Sequence, residues 1–477
     1  MTFPHNSALI KVLALLAVLA VLTIPLAQIR SLIDERGNSQ QQAAAELAET
    51  HASAQTVIGP LLVVPYVERW FEDERDNKGG VKRVAQSREA THYIFPLKLD
   101  IQGELSTQKR YRGIFTVLFY KLQARMRGQL PAFDPALLPR TQKDSKLEIG
   151  EPAIALALGD VRGIEGTPVL DAAGERLRFA QRIPGAGSDS WLGRGVHASL
   201  TGAALQSFVR GQPLDYDLTL GLVGQERLSI APVADDTTAQ LRSAWPHPSF
   251  GGRFLATERN VSAKGFDARW NISSLVSSAR SQVLASLDAK APGDLDTFEV
   301  SLAQPLNVYA MSTRAVKYGA LFVGLTLLAA FMFELLRKLR MHPVQYALVG
   351  LSIALFFLLL LALSEKMAFW LAYACAASAS VLLLIVYFSA VLRGWGRGVS
   401  LGAYVGVLYA ALYGLLSSES NALLLGSLLL FGVVSLLMIA TRRLDWYSLG
   451  GADDGRGRAA GDRFADKSAV PPPPVAA

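Results

Sequence analysis

The sequence contains a single cysteine, Cys375, in 477 residues. One cysteine excludes an intramolecular disulfide, a CxxC redox pair and a thiolate zinc site. The GxSxG, GxxxxGK and HExxH motifs are also missing, and no two of the six histidines are spaced as a metal pair on one helix. A site assembled from distant residues stays open at this point. We predict a protein that is not an enzyme and that has no cofactor and no metal.

Charged residues make up only 18% of the chain, whereas hydrophobic residues make up 51% and the mean hydropathy is +0.27. This composition is too apolar for a disordered or a wholly soluble chain, so part of the protein lies in a membrane. The formal net charge is +7. The basic clusters lie between apolar runs, as at residues 337–340, and not on a separate basic segment. We therefore predict the lipid bilayer as a partner and no nucleic acid.

Six apolar runs are long enough to cross a bilayer as helices. One lies near the N-terminus and five lie in the last third of the chain. The runs cover about residues 8–29, 318–336, 346–363, 367–392, 399–416 and 422–440. The first run has features of a cleaved signal peptide, with Ala27 near its end. Its length, and Pro25 where a small residue is wanted, favour an uncleaved anchor.

The short connections between the five C-terminal runs alternate in charge. The formal charges of the four connections are +3 at residues 337–340, 0 at Glu365 and Lys366, +2 at Arg393 and Arg397, and −1 at Glu419. The segment after the last run, residues 442–445, has a charge of +1. Cytoplasmic loops are enriched in Lys and Arg. The alternation predicts a multi-pass protein of the bacterial inner membrane with both termini in the cytoplasm. The long segment after the first run then lies in the periplasm.

That long segment shows the two-residue alternation of β-strands. Three apolar faces stand out: Leu97, Leu99, Ile101 and Leu105; Leu214, Tyr216, Leu218, Leu220 and Leu222; and Phe266, Ala268, Trp270 and Ile272. They predict mostly antiparallel sheets packed like a β-sandwich, as one domain or as two subdomains split near residue 212.

The predicted fold class is therefore an α+β membrane protein, with six transmembrane helices and a large periplasmic β domain. Its predicted parts are an N-terminal anchor at residues 1–30, a helical stalk at 31–55, a β-rich periplasmic domain at 56–317, a five-helix bundle at 318–447 and a disordered cytoplasmic tail at 448–477.

Several residues of the periplasmic segment are candidates for binding. Two prolines hold His247 in a rigid turn between Trp245 and Phe250, which either presents the imidazole to a ligand or forms a packed corner. Asp160 and Arg162 permit an ion pair within a tight turn, a contact that is more often structural than catalytic. A periplasmic enzyme would depend on His197 and His247 alone.

Ionisable residues of the apolar runs lie near the ends of the runs, where we expect their side chains to reach water. These residues are Lys11, Glu334, Glu365 and Lys366. A transporter usually has a central acid or an interrupted helix, and neither is visible. His342, Pro343 and Gln345 lie between two runs, in a tight connection where Pro343 starts a helix.

Small residues recur every four positions in the fifth run, where they form a stripe along one helix face. The stripe consists of Gly398, Gly402, Gly406, Ala410 and Gly414. Such a stripe lets another helix approach closely. We expect it to pack within the bundle, and a surface for an oligomer or a partner is the alternative.

The chain resembles the CreD family of cell-envelope integrity inner-membrane proteins, over about residues 11–449. The similar motifs are FMFE at 331–334, MHPVQYALVGL at 341–351, LSE at 363–365, LLGSLLLF at 424–431, TRRLDWY at 441–447, WPHPSFGG at 245–252, GFDARW at 265–270 and DVRGI at 160–164. Two departures are Asn307, where an acid is expected, and the tail after Gly450.

The resemblance implies a role in envelope integrity or the envelope stress response, and control by a two-component regulon. It supplies no catalytic residues. We expect a non-enzymatic scaffold or adaptor whose periplasmic domain binds an envelope protein or a cell-wall component. The alternative is a transporter or lipid-handling protein that uses the helix bundle. The oligomeric state is not predicted.

Overall fold

The structure is a computed structural model that describes residues 7–75, 81–288, 293–302, 308–337, 341–418 and 422–442. The predicted tail at 448–477 lies outside these residues, as does Asn307. The chain forms two compact units, of which one is Ser39–Pro305 and the other joins Met1–Asn38 to Leu306–Ala477.

The helices of the described residues are, in chain order, α1 (Ser7–Thr50), α2 (Gly202–Val209), α3 (Ala279–Ala285), α4 (Val308–Lys317), α5 (Gly319–Arg337), α6 (Pro343–Ser364), α7 (Phe369–Val391), α8 (Trp395–Ser417) and α9 (Ala422–Thr441). The helix α1 includes both the first apolar run and most of the predicted stalk. Helices α2 and α3 belong to the unit of residues 39–305.

Four of these helices are long and apolar enough to cross a membrane, namely α1, α6, α7 and α8. A fifth candidate is the pair α4 and α5, which are bent by 44° at the break between them. The apolar stretch counted in α9, Leu424–Ser435, is shorter. The described residues therefore contain four or five candidate spans where the sequence predicts six, and they bear out a membrane protein with several apolar helices.

The other unit is built from two β-sheets. The strands are β1 (Gln55–Arg75), β2 (Val81–Ile94), β3 (Lys98–Arg112), β4 (Phe115–Leu130), β5 (Lys146–Ile149), β6 (Ala153–Leu158), β7 (Ile164–Ala172), β8 (Glu175–Leu177), β9 (Ala180–Gln181), β10 (Gly195–Ser199), β11 (Leu214–Gln225), β12 (Arg227–Ala231), β13 (Asp236–Ser243), β14 (Pro248–Gly252), β15 (Glu258–Ser262), β16 (Gly265–Ser273) and β17 (Phe298–Leu302).

The first sheet has nine strands in the order β14-β17-β12-β1-β6-β10-β9, with β2 and β5 also paired to β1. The second has eight strands in the order β15-β16-β13-β3-β4-β11-β7-β8. Each sheet is mixed, because β1 and β12 are parallel in the first and β3 and β13 are parallel in the second. Both sheets contain strands from before and from after residue 212, which pair directly as β12 with β1 in the first sheet and as β13 with β3 in the second.

The two sheets share one hydrophobic core, as in a sandwich. All residues of the predicted faces of β11 and β16 are buried in it, from Leu214 to Leu222 and from Phe266 to Ile272. This is the burial that a two-residue alternation predicts, since successive side chains of a strand point to opposite faces. The sheets thus confirm a β domain inserted between membrane helices along the chain.

A carboxylate of the central strand β1 is also buried. Glu68 of β1 is 2% exposed and accepts hydrogen bonds from the backbone N–H groups of Thr141 at 2.6 Å and Gln142 at 3.1 Å. Burial raises the pKa of the Glu68 carboxyl, but the hydrogen bonds from Ser145, Gln142 and Thr141 together outweigh it and lower the pKa to about 2. Glu68 therefore holds the segment that precedes β5 against β1.

Candidate functional site

The turn between β6 and β7 contains the predicted pair of Asp160 and Arg162. The Asp160 side chain is buried, and it accepts hydrogen bonds from Arg162 Nε at 3.0 Å and Nη2 at 2.7 Å. It also accepts from the N–H groups of Arg162, at 3.1 Å, and Ser53, at 3.2 Å. Burial raises the pKa of Asp160, but these hydrogen bonds outweigh it and the pKa is lowered.

Arg162 also binds the last turn of α1. Its Nη1 donates to the carbonyl oxygen of Glu49, and its Nη2 donates to that of Ala48 at 3.3 Å. The last carbonyls of a helix have no partner within the helix and carry partial negative charge, so a guanidinium stabilises them. The contact predicted within one turn therefore also fastens the last turn of α1 to the turn between β6 and β7. We call residues 160–163 the α1 joint.

Gly163 is the last residue of the α1 joint, and its surroundings leave no space for a larger side chain. A Cβ atom on Gly163 would lie 2.3 Å from Gln55 Nε2 and 2.3 Å from the carbonyl oxygen of Val223. Gln55 Nε2 itself donates to the carbonyl oxygens of Val223 and Asp160, each at 3.0 Å. Three residues of the DVRGI motif thus have structural roles. Asp160 accepts hydrogen bonds, Arg162 binds the last carbonyls of α1, and Gly163 leaves room for the buried Gln55 side chain.

The predicted turn of Trp245, His247 and Phe250 is closed by its own side chains. Trp245 Nε1 donates to the carbonyl oxygen of His247 at 3.1 Å, and the two rings meet edge to face with centroids 6.3 Å apart. Phe250 points to the core, where its ring contacts Phe266 and Trp270. The His247 imidazole remains exposed. The turn therefore combines a packed corner with one imidazole accessible to solvent.

The structure does not bring His197 and His247 together. His197 lies in β10, where its Nδ1 is in hydrogen-bond contact with the carbonyl oxygen of Arg182. Four strands separate β10 from β14, which starts beside His247, and at ~4.8 Å per strand this is about 24 Å. Within the described part of the chain, no group of three or more His, Cys, Asp or Glu residues is arranged to hold a metal ion.

Glu334 differs from the expectation that its side chain reaches water. It lies near the end of α5 with its side chain only 3% exposed. Its Oε1 is 2.5 Å from Lys11 Nζ of α1, and its Oε2 accepts a hydrogen bond from the Tyr346 hydroxyl of α6 at 2.5 Å. Side chains from α1 and α6 cover it, beside a cavity of about 50 Å³. We call Lys11, Glu334 and Tyr346 the first cluster.

Glu365, directly after α6, is at the centre of a similar group. Its Oε1 accepts a hydrogen bond from the Tyr309 hydroxyl of α4 at 3.2 Å and lies 3.9 Å from Arg36 Nε of α1. Its side chain is 15% exposed. We call Arg36, Tyr309 and Glu365 the second cluster. Lys11 and Arg36 were not predicted as partners of these glutamates, although a lysine inside an apolar run is itself a signal that a carboxylate is near.

His342, Pro343 and Gln345 form the start of α6. His342 is the N-cap residue, and its Nδ1 accepts from the N–H of Val344 at 3.3 Å. Gln345 Oε1 accepts from the N–H of His342 at 3.0 Å, which completes a capping box, and Pro343 occupies the first turn. All three side chains of the MHPVQ motif therefore have a role in starting the helix.

The small-residue stripe of α8 contacts α7 closely at one end and not at the other. A Cβ on Gly398 would lie 2.0 Å from Ser389 Oγ, and one on Gly402 would lie 2.2 Å from Ile385 Cγ1, so α7 packs closely there. A Cβ on Gly406 would be 3.9 Å from Val381, and Gly414 has nothing within 4 Å. Close packing of the stripe against α7 is therefore limited to the end with Gly398 and Gly402.

A groove lies between α7 and α8. Its volume is about 470 Å³, and Ala410 of the stripe lines it. Other lining residues are Trp370, Tyr373, Ala377, Gly406 and Tyr413. The groove is mostly apolar, and we call it the α7–α8 groove.

The chain matches the family described as Inner membrane protein CreD over residues 7–447. It is 32% identical over 438 residues to Inner membrane protein CreD of Escherichia coli, with 92% of this chain and 93% of that protein covered. Among solved structures, M1 zinc metallopeptidase from Deinococcus radiodurans is 9% identical over 37% of this chain and 38% of that chain, with a TM-score of 0.17. That TM-score carries no argument about fold or function. The extent of the sequence match shows that the chain belongs to the CreD family of inner membrane proteins.

Proposed function

We propose that the protein crosses the inner membrane six times, with both termini in the cytoplasm and the β domain in the periplasm. The alternating charge of the short connections supports this orientation. The test uses Cys375→Ser as background, with one new cysteine at exposed Ser188 of the β domain or at Ser448 of the tail. A membrane-impermeant maleimide should label position 188 in intact spheroplasts and position 448 only after lysis. The opposite labelling would overturn the orientation.

Within that topology, we propose a non-enzymatic scaffold or adaptor that contributes to envelope integrity. The α1 joint is the observation that carries this proposal. Helix α1 passes into β1 within four residues, and β1 pairs with β2, β5, β6 and β12 at the centre of the first sheet. A hydrogen-bonded turn, and not a flexible linker, thus accompanies the passage from the last turn of α1 into β1. Such a connection suits a domain that holds an envelope component at a defined place.

The separation of His197 and His247 supports a role without catalysis. We expect a protein with both His197→Ala and His247→Ala to restore detergent resistance to cells that lack the gene as fully as the unaltered protein does. A matched control is His92→Ala, a half-buried histidine whose pKa is lowered by burial. Loss of resistance in the double variant, with the protein folded and present at normal level, would support an enzyme.

A binding partner can be sought with photo-crosslinking residues placed in the full-length protein in its own envelope. Leu275 of the β domain is 93% exposed and lies beside Val276, which is 68% exposed, while Leu382 of α7 is 62% exposed. A scaffold predicts one reproducible protein adduct at position 275 and lipid adducts at position 382. Lipid or cell-wall precursor in the bundle, with no protein adduct at any exposed site of the β domain, would contradict it.

The α7–α8 groove favours one second candidate, a lipid-handling protein. Ala410→Phe would fill the groove, and Val407→Phe, on an exposed side of the same helix, is the matched control. Lipid handling predicts that Ala410→Phe abolishes both function in cells and a lipid retained in native mass spectra, while Val407→Phe does neither. Normal function of Ala410→Phe would exclude this candidate.

A further inference from the structure

Helix α1 carries two basic residues that each face a glutamate of the C-terminal helices. Lys11 pairs with Glu334 in the first cluster, and Arg36 pairs with Glu365 in the second. They are about 25 residues apart, so at ~1.5 Å per residue about 38 Å of helix separates them. A bilayer is ~30 Å thick in its hydrocarbon core and ~40–45 Å with its headgroup layers. The two clusters therefore lie one near each boundary of the membrane-crossing part of α1.

The two clusters have the same composition, because in each a tyrosine hydroxyl donates a hydrogen bond to the glutamate that faces the basic residue. Tyr346 donates to Glu334, and Tyr309 donates to Glu365. Loss of the cation costs more in the first cluster, because Glu334 is almost fully buried and would be left there without a partner of opposite charge. Arg36 is 45% exposed, so solvent weakens its ion pair with Glu365.

Between the clusters, α1 packs closely against glycines of α5 and α6. A Cβ on Gly350 of α6 would lie 2.1 Å from Leu22 Cδ1, and one on Gly319 of α5 would lie 3.0 Å from Leu26 Cδ2. Both leucines are buried. Such close contact at glycines is how helices associate in lipid, where apolar side chains gain little from leaving the bilayer.

We propose that the two clusters hold α1 as a permanent helix of the bundle, with Lys11, Arg36, Tyr309 and Tyr346 as its positioning residues. Cleavage after Ala27 would remove Lys11 and leave Glu334 buried without its cation, which a membrane protein does not tolerate well. The inference holds whichever side of the membrane the β domain occupies and whatever it binds.

The test cuts the folded, full-length protein into two pieces. A site for a specific protease is inserted between Leu302, the end of β17, and Val308, the start of α4, and each terminus carries a different affinity tag. After cleavage in mild detergent, we expect the N-terminal piece to co-purify with the C-terminal piece. Separation of the pieces of the otherwise unaltered chain would overturn the proposal.

Charge variants identify what holds the pieces together. Lys11→Glu with Arg36→Glu should reduce co-purification at least about tenfold, because each glutamate then faces a like charge. Adding Glu334→Lys and Glu365→Arg should restore it. Arg30→Glu is the matched control, since Arg30 is exposed on the same helix and is in none of the ion pairs found among the described residues.

Single variants separate the two clusters. We expect Lys11→Glu alone to cause most of the loss and Arg36→Glu alone a smaller one. Should Lys11→Glu fail to accumulate in cells, accumulation and co-purification of Lys11→Glu with Glu334→Lys would support the pairing. Failure of that charge exchange, or undiminished co-purification when both bases are reversed, would overturn it.

Discussion

Gln55 and Asp160 hold each other by two hydrogen bonds where α1 passes into β1. Gln55 Nε2 donates to the carbonyl oxygen of Asp160 at 3.0 Å, and the N–H of Asp160 donates to Gln55 Oε1 at 3.1 Å. Gln55 is fully buried, so these bonds are shielded from water. The first residue of the central strand and the first residue of the α1 joint are thus bound to each other, and variants of the joint should affect the whole domain.

Replacing Arg162 by alanine should destabilise the β domain by about 1–3 kcal/mol, because the buried Asp160 carboxylate loses its charged donor. The free energy of unfolding can be measured in urea by tryptophan fluorescence of the full-length protein in detergent. The matched control is Arg176→Ala, whose pair with Asp171 is exposed and 3.6 Å long, and which should cost under ~0.5 kcal/mol. Equal effects of the two variants would contradict this role of Arg162.

Gly163→Ala should destabilise the domain by about 1–3 kcal/mol or more through overpacking. Its Cβ would meet the Val223 carbonyl oxygen, which belongs to a strand backbone and moves little. Gly187→Ala is the control, since a Cβ there has nothing within 4 Å. The same urea titration gives both values, and a neutral Gly163→Ala would show that the joint is looser than its contacts indicate.

Acid should weaken the domain through Glu68. Its pKa of about 2 is below the ~4.3 of an unfolded glutamate, so its stabilising contribution is complete above about pH 4.3 and is lost as the pH falls toward 2. The lowered pKa of Asp160 acts in the same direction. The free energy of unfolding, measured between pH 6 and pH 2.5, should fall less steeply in Glu68→Gln than in the unaltered protein.

A control for the acid effect is Glu258→Gln, whose side chain is 72% exposed. This variant should follow the unaltered protein across the whole pH range. An unchanged slope in Glu68→Gln would mean that other carboxyl groups, and not Glu68, cause the acid sensitivity.

The two ends of the α8 stripe should respond differently to the same substitution. Gly398→Ala should lower the free energy of unfolding of the detergent-solubilised protein by about 1–3 kcal/mol. The reason is that its Cβ would meet backbone atoms of Ser389 and Ile385 on α7. Gly414→Ala should be neutral, since nothing lies within 4 Å of its Cβ. Thermal unfolding of both variants checks this, and a neutral Gly398→Ala would argue against close packing of α7 and α8.

Local patterns were sufficient to predict much of the fold. The alternation from Leu214 to Leu222 marks one buried strand face, and Pro343 marks the start of α6, because both signals act within a few residues. The parallel pairing of β1 with β12 was not predicted, since Gln55 and Leu228 are far apart in the chain. Pairing over such distances depends on tertiary packing, which no local pattern records.

The candidate site shows the same limit. The sequence indicates that Asp160 and Arg162 can pair, because they share one turn, but not that Arg162 also reaches the carbonyls of Ala48 and Glu49. Likewise, Glu334 looks solvated from its place near a helix end, and only the packing of α1 and α6 against α5 buries it. His197 and His247 look equally suitable for one site until the strand order separates them.

The distance along the chain between Lys11 and Glu334 sets an order for biogenesis. The two residues are 323 positions apart, and the whole β domain lies between them. At ~5–20 residues per second, the ribosome synthesises Glu334 about 16–65 s after Lys11. A ribosome that stops before residue 334 leaves a membrane helix with an unneutralised lysine. Insertion of α5 therefore supplies the carboxylate that α1 lacks, and a chain truncated before α5 differs chemically from a finished one.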